Sequence, residues 1–164
     1  MRTTIRVSAL LAAFLTLGAM PAVAQSANIT ATANVFQAIT VTGAQNLDFG
    51  NVFPGVNKTI PVSAGSAGRF DLTGQLSAPV QVAFTLPANL TSSGNNLPIG
   101  TWTGCTSPTT SAAGCTAFTP SGAPTSTAFS GAGALSVFVG ATVLPGAAQP
   151  AGTYTGTVTL TANY

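Results

Sequence analysis

The chain has 164 residues, 46% hydrophobic and only 4% charged, with four Lys and Arg against two acidic residues and no His. That composition excludes a nucleic-acid surface, which needs a cluster of cations to follow phosphates. It also removes most groups that move protons in enzymes: there is no Glu, and Asp48 and Asp71 are the only acidic side chains.

Arg2 and Arg6 precede an apolar run from Val7 to Met20, and Ala22-Val23-Ala24 places small residues where a leader is cut. Residues 1–24 therefore read as a secretory signal peptide. The run is shorter than the ~20 apolar residues a spanning helix needs, and no later segment is apolar enough, so no membrane span is expected in the exported chain. After cleavage Lys58 and Arg69 balance Asp48 and Asp71, a formal net charge of zero. A surface with so little charge offers little repulsion against self-association. The expectation is a secreted protein of the periplasm or cell surface that packs against copies of itself or other surface subunits.

The first alternation runs over residues 28–35, where Ile29, Ala31, Ala33 and Val35 form an apolar stripe that continues to Ile39 and Val41. Thr and Val are strand formers, and no apolar residue recurs at helical spacing. Residues 25–46 read as an N-terminal strand segment, either the domain's own first strand or a donor strand for a neighbour. The sandwich domain is expected over 47–164. Within it, 47–52 reads as a short strand closed by Phe53-Pro54-Gly55, where Pro presets the first dihedral and Gly takes the positive φ of a type II turn. Further strands are expected at 59–62, 68–72 and 80–86.

From 87 to 134 the periodicity fades, although Leu97, Ile99, Trp102, Phe118 and Phe129 are apolar anchors; the stretch reads as loops with one or two edge strands. It holds both cysteines, Cys105 and Cys115, which in an exported chain predict one disulfide. Closing so short a loop stabilises by roughly 3 kcal/mol on the chain-entropy estimate. The spacing is not C-x-x-C, so no redox role is expected. A strand follows at 135–143. Residues 152–164 then alternate without a break, with Tyr154, Val158, Leu160, Ala162 and Tyr164 on one face and Thr153, Thr155, Thr157, Thr159 and Thr161 on the other.

About seven or eight short strands and no helix predict an all-β fold, an antiparallel β-sandwich, with immunoglobulin-like and jelly-roll connectivity both compatible with the pattern. No catalysis is expected. Ser is plentiful but has no His to activate it, and Asp48 and Asp71 sit in contexts typical of a strand's solvent face or a strand-end turn. No ligand cluster suggests a metal, and no cofactor is expected. The N-x-T triplets at Asn28, Asn57 and Asn89 are what chance supplies in a chain rich in Asn and Thr.

Three stretches carry a resemblance: Leu47-Asp-Phe-Gly-Asn-Val-Phe-Pro-Gly55, then Phe70-Asp-Leu-Thr-Gly74 with Val82-Ala-Phe-Thr-Leu-Pro87, and the closing Pro150-Ala-Gly-Thr-Tyr-Thr-Gly-Thr-Val-Thr-Leu-Thr-Ala-Asn-Tyr164. Over Leu47 to Tyr164 the chain resembles the bacterial domain of unknown function 4402 family and, more distantly, the spore coat protein U domain of chaperone-usher pilins. The resemblance implies an exported, pilin-like surface protein without enzymatic activity. It also implies strand exchange, in which Ile29, Ala31, Ala33 and Val35 act as donor and the face from Tyr154 to Tyr164 borders a groove or sheet edge. A periplasmic chaperone and an usher would be the implied partners. The expected function is a surface structural subunit, pilin-like or part of a matrix, assembling by β-strand pairing; the alternative is a monomeric binding module or adhesin using loops 89–130.

Overall fold

The computed structural model describes residues 25–164, so the expected signal peptide lies outside the described residues. The described residues divide into two units, the first ending at Asn34 and the second Val35–Tyr164. The described part of the first, residues 25–34, is exposed and carries no strand. The second holds ten strands: β1 (Thr40–Gln45), β2 (Lys58–Ile60), β3 (Gly68–Thr73), β4 (Pro79–Thr85), β5 (Asn89–Ser92), β6 (Asn95–Ser107), β7 (Thr116–Phe118), β8 (Thr125–Ala128), β9 (Ala134–Val143) and β10 (Thr159–Asn163).

Seven strands form one antiparallel sheet in the order β1-β3-β9-β6-β5, with β2 also on β9 and β7 also on β6; the other three form a sheet β10-β4-β8. The fold is all-β and of sandwich type, with ten strands where seven or eight were expected. β9 is the spine of the larger sheet. One of its edges pairs with β3 over Ala134 to Val139 and with β2 over Ala141 to Val143, and the other edge pairs with β6. It is buried along nearly its whole length, which suits its run of Val, Phe, Ala and Leu.

The smaller sheet covers only part of the larger one. Val80, Val82 and Phe84 of β4 alternate inward, and Leu160 lies opposite Phe84 on β10. They meet Leu72, Leu135, Val137 and Val139 of the larger sheet in the first core cluster. Full burial of each such side chain is worth roughly 1.5–3 kcal/mol. The second cluster, Phe49, Ile60, Ala67, Leu97, Ile99, Ala141 and Val143, includes no residue of the smaller sheet; Leu47, Val52 and Tyr154 pack against it instead. Half of the core thus has strands on both sides, and the other half is roofed by irregular chain.

The stretch 87–134 is mostly strand, contrary to the loop expectation, and β6 is the longest strand of the fold. Its alternation is hidden by a bulge: three steps on β6 from Gly100 to Thr103 oppose two on β9, and Thr101 takes a positive φ of 49°. The bulge shifts the core-facing set from Leu97 and Ile99 to Trp102 and Gly104. At Gly104 the core is filled by a ring from β7, since a Cβ there would stand 2.5 Å from Phe118 Cζ. Cys105 and Cys115 form the disulfide across the β6–β7 hairpin.

Two further expectations are corrected. Residues 47–52 form no strand, although the turn after them is as predicted: Val56 N–H donates to Phe53 O at 3.1 Å, and Gly55 has φ 73°. Residues 152–164 are not one strand either. Thr155 bridges to Thr91 beside the larger sheet, whereas Thr159–Asn163 pairs with β4 of the smaller one. Between them lies Gly156, where a Cβ would stand 2.8 Å from Leu90 Cδ2 and 3.4 Å from Pro87 Cγ. The chain changes sheets at a point where a bulky side chain would press on Leu90 and Pro87.

Candidate functional site

An open groove of about 1030 Å³ lies over the second core cluster. Its apolar lining includes Phe70, Leu90, Leu97, Ile99, Val139 and Val143, which are side chains of the larger sheet. Two stretches of chain that belong to no sheet also line it, one from Asn46 to Pro54 and the other from Gln149 to Val158. Both read as strands in the sequence, because Leu47 and Phe49 alternate on the first and Tyr154, Gly156 and Val158 on the second. Neither finds a ladder partner.

Their backbones are correspondingly open. Among the described residues, the N–H groups of Asn51, Val52 and Phe53, and those of Gly156, Thr157 and Val158, have no hydrogen-bond partner. Asn51, Phe53, Gly156 and Thr157 are exposed, so their backbones lie open to water or to an added strand. What bonds these stretches do make hold them in place. Asp48 N–H donates to Ser66 O at 3.0 Å, Gly55 N–H donates to Gly146 O at 3.0 Å, and Thr91 and Thr155 exchange a reciprocal pair at 2.8 and 3.0 Å. Tyr154 is fixed by its hydroxyl, which accepts from Gln149 Nε2 and donates to Pro150 O, each at 2.8 Å.

The five residues expected along one strand at a groove or sheet edge are therefore distributed. Tyr154 and Val158 line the groove, Leu160 is buried in the first cluster with Ala162 packed beside it, and Tyr164 lies at the other end of β10. There its hydroxyl accepts from Gln75 N–H at 2.7 Å and donates to Gln37 O at 2.5 Å. β10 is an edge strand, paired only with β4 among the described residues. Ile29 and Val35 of the N-terminal stripe are 95% and 93% exposed, and the first strand of the fold begins only at Thr40. Part of the 25–46 segment thus belongs to the sandwich unit, which starts at Val35.

In sequence the stretch from Leu47 to Phe53 reads as a strand and as part of the family resemblance; its place at the groove depends on contacts distant in sequence. The two carboxylates have separate local partners. Asp48 Oδ1 accepts from Gly50 N–H at 2.7 Å, and Asp71 Oδ1 accepts from Ser136 Oγ at 2.8 Å with Arg69 at 3.1 Å. No group of three His, Cys, Asp or Glu side chains that could hold a metal occurs among the described residues. No helix among them is long and apolar enough to cross a membrane.

Two antiparallel sheets that leave an apolar groove between unpaired stretches of chain define the class of domain. Over residues 39–164 the sequence matches the family described as Domain of unknown function (DUF4402), and the chain belongs to that family. The match takes in β1 as well as the stretch from Leu47 onward, and it begins just after the exposed segment. No curated protein and no solved structure matches the chain.

Proposed function

We propose that the protein is a secreted bacterial surface subunit, pilin-like or part of a matrix, that assembles without catalysis by accepting a β-strand from a neighbouring copy into this groove. The observation that carries the reading is the groove itself: two strand-like stretches with unpaired N–H groups line an apolar floor. An inserted strand would pair with the alternate groups that face it through main-chain hydrogen bonds and bury alternate side chains against the floor. The occupant is residues 29–35 of a second copy, because Ile29, Ala31, Ala33 and Val35 supply an apolar face at strand period and Thr30, Thr32 and Asn34 a polar one. Neither segment carries a charge apart from Asp48, so the pairing meets no electrostatic barrier. The disulfide suits an oxidising compartment outside the cytoplasm.

The test is size-exclusion chromatography of the exported chain beside a variant lacking residues 25–35. The reading expects oligomers from the former and a folded monomer from the latter. A wild-type protein that stays monomeric at high concentration, with 25–35 accessible to protease, would contradict it.

A further inference from the structure

The N-terminal segment enters the sandwich unit through a cluster that β10 builds. Phe36 stacks on Tyr164, with ring centroids 5.1 Å apart and planes 29° apart, and Phe129 lies on Tyr164 at 6.2 Å. The Tyr164 hydroxyl bridges two backbones, accepting from Gln75 N–H and donating to Gln37 O. Gln37 N–H donates in turn to Gln75 Oε1 at 3.4 Å. Gly74 makes room for this: a Cβ there would stand 2.5 Å from Phe129 Cε2 and 2.8 Å from the Tyr164 hydroxyl. Residues 36 and 37 are in no strand, yet both are held, while Val35 immediately before them is exposed.

Phe129 belongs to the first core cluster, but the two rings stacked outside it do not. Phe36 is 54% and Tyr164 41% exposed, and neither belongs to either core cluster. An exposed aromatic stack with three hydrogen bonds, at the point where a free segment joins the domain, orders backbone that would otherwise be flexible. Ordering a residue costs about 1–2 kcal/mol of conformational entropy. A segment whose root is already ordered loses less on binding.

We propose that Tyr164, with Phe36, is a positioning clamp that pre-orders the root of residues 29–35 for strand donation, an inference that rests on the assembly reading above. It acts through the segment and does not touch the acceptor groove, since neither Tyr164 nor Phe36 lines it.

The experiment compares wild type, Y164F and F36A by amide hydrogen exchange and by assembly kinetics followed with light scattering. Y164F keeps the ring and removes both hydroxyl bonds. At the typical strength of one net hydrogen bond, exchange of the Gln37 and Gln75 N–H groups should rise about fivefold and assembly should slow by a similar factor. Exchange in β4 and β9 should stay unchanged, which separates positioning from loss of fold. F36A should act in the same direction. Unchanged exchange at Gln37 and Gln75 in both variants overturns the clamp; faster exchange with unchanged assembly overturns its role in donation. A wild type that does not assemble overturns the assembly reading, and the positioning role falls with it.

Discussion

Leu90 Cδ2 lies 2.8 Å from the place a Cβ on Gly156 would occupy. That contact sits where the chain leaves Thr155, bridged to Thr91 beside the larger sheet, and heads for β10 in the smaller one. It makes one stretch of regular Thr-x-Thr alternation into two pieces with different partners. Alanine at 156 meets only the end of a flexible Leu side chain and should cost under about 1 kcal/mol. Valine adds bulk against both Leu90 and Pro87, and the cost should rise to about 1–3 kcal/mol. Urea denaturation of G156A and G156V checks the ordering.

Gly104 and Phe118 form a second compensating pair, in which the ring occupies the space of the missing side chain. G104V should displace the ring and destabilise by about 1–3 kcal/mol. F118A leaves a partial cavity and should cost up to about 3 kcal/mol, the low end for such truncations because the ring is only half-buried. The double variant G104V/F118A should be less destabilised than the sum, since each change removes the other's problem. Strict additivity in denaturation midpoints would show that the two sites do not share this space.

The Cys105–Cys115 bridge closes a loop with a sequence separation of 10. The variant C105A/C115A should lose about 3 kcal/mol of stability. Neither cysteine lines the groove, so assembly of the folded fraction at low temperature should persist. The check is a urea midpoint for the first part and light scattering below the transition for the second.

Assembly should be nearly indifferent to pH and salt. The chain has no His, the side chain whose unperturbed pKa lies between about 5 and 8. The ion pair Arg69–Asp71 is the only one among the described residues and does not line the groove. Assembly rates should change by less than about twofold between 0.05 and 0.5 M salt, because screening has few charges to act on. Light scattering across a salt series reads this directly, and a steep dependence would point to charged partners.

How far the sequence could be read depended on whether alternation survived folding. β3, β4 and β9 keep period two, because each is flanked by partners that preserve the pleat, and all three were legible. β6 was not, since the bulge at Thr101 and the empty position at Gly104 erase its pattern and its core side chain comes from Phe118. At the candidate site the alternation of Leu47, Phe49 and Tyr154, Val158 was visible, and it correctly marked the sides that face the core. What it does not encode is the ladder partner, which depends on residues far along the chain. The clamp at Tyr164 was invisible for the same reason, as it joins residues 36 and 37 to 75 and 164.

The most direct measurement is to add a synthetic peptide of residues 27–36 to the folded variant that lacks 25–35, and to follow amide exchange at residues 51–53 and 156–158. These N–H groups make no backbone hydrogen bond in the described structure, and the alternate ones that face the groove on each stretch should become protected as the peptide pairs with both sides. A peptide with Ile29 and Val35 replaced by Asn should protect them far less. Binding that leaves those six amides unprotected, or that ignores the apolar stripe, would contradict strand acceptance as the work of this groove.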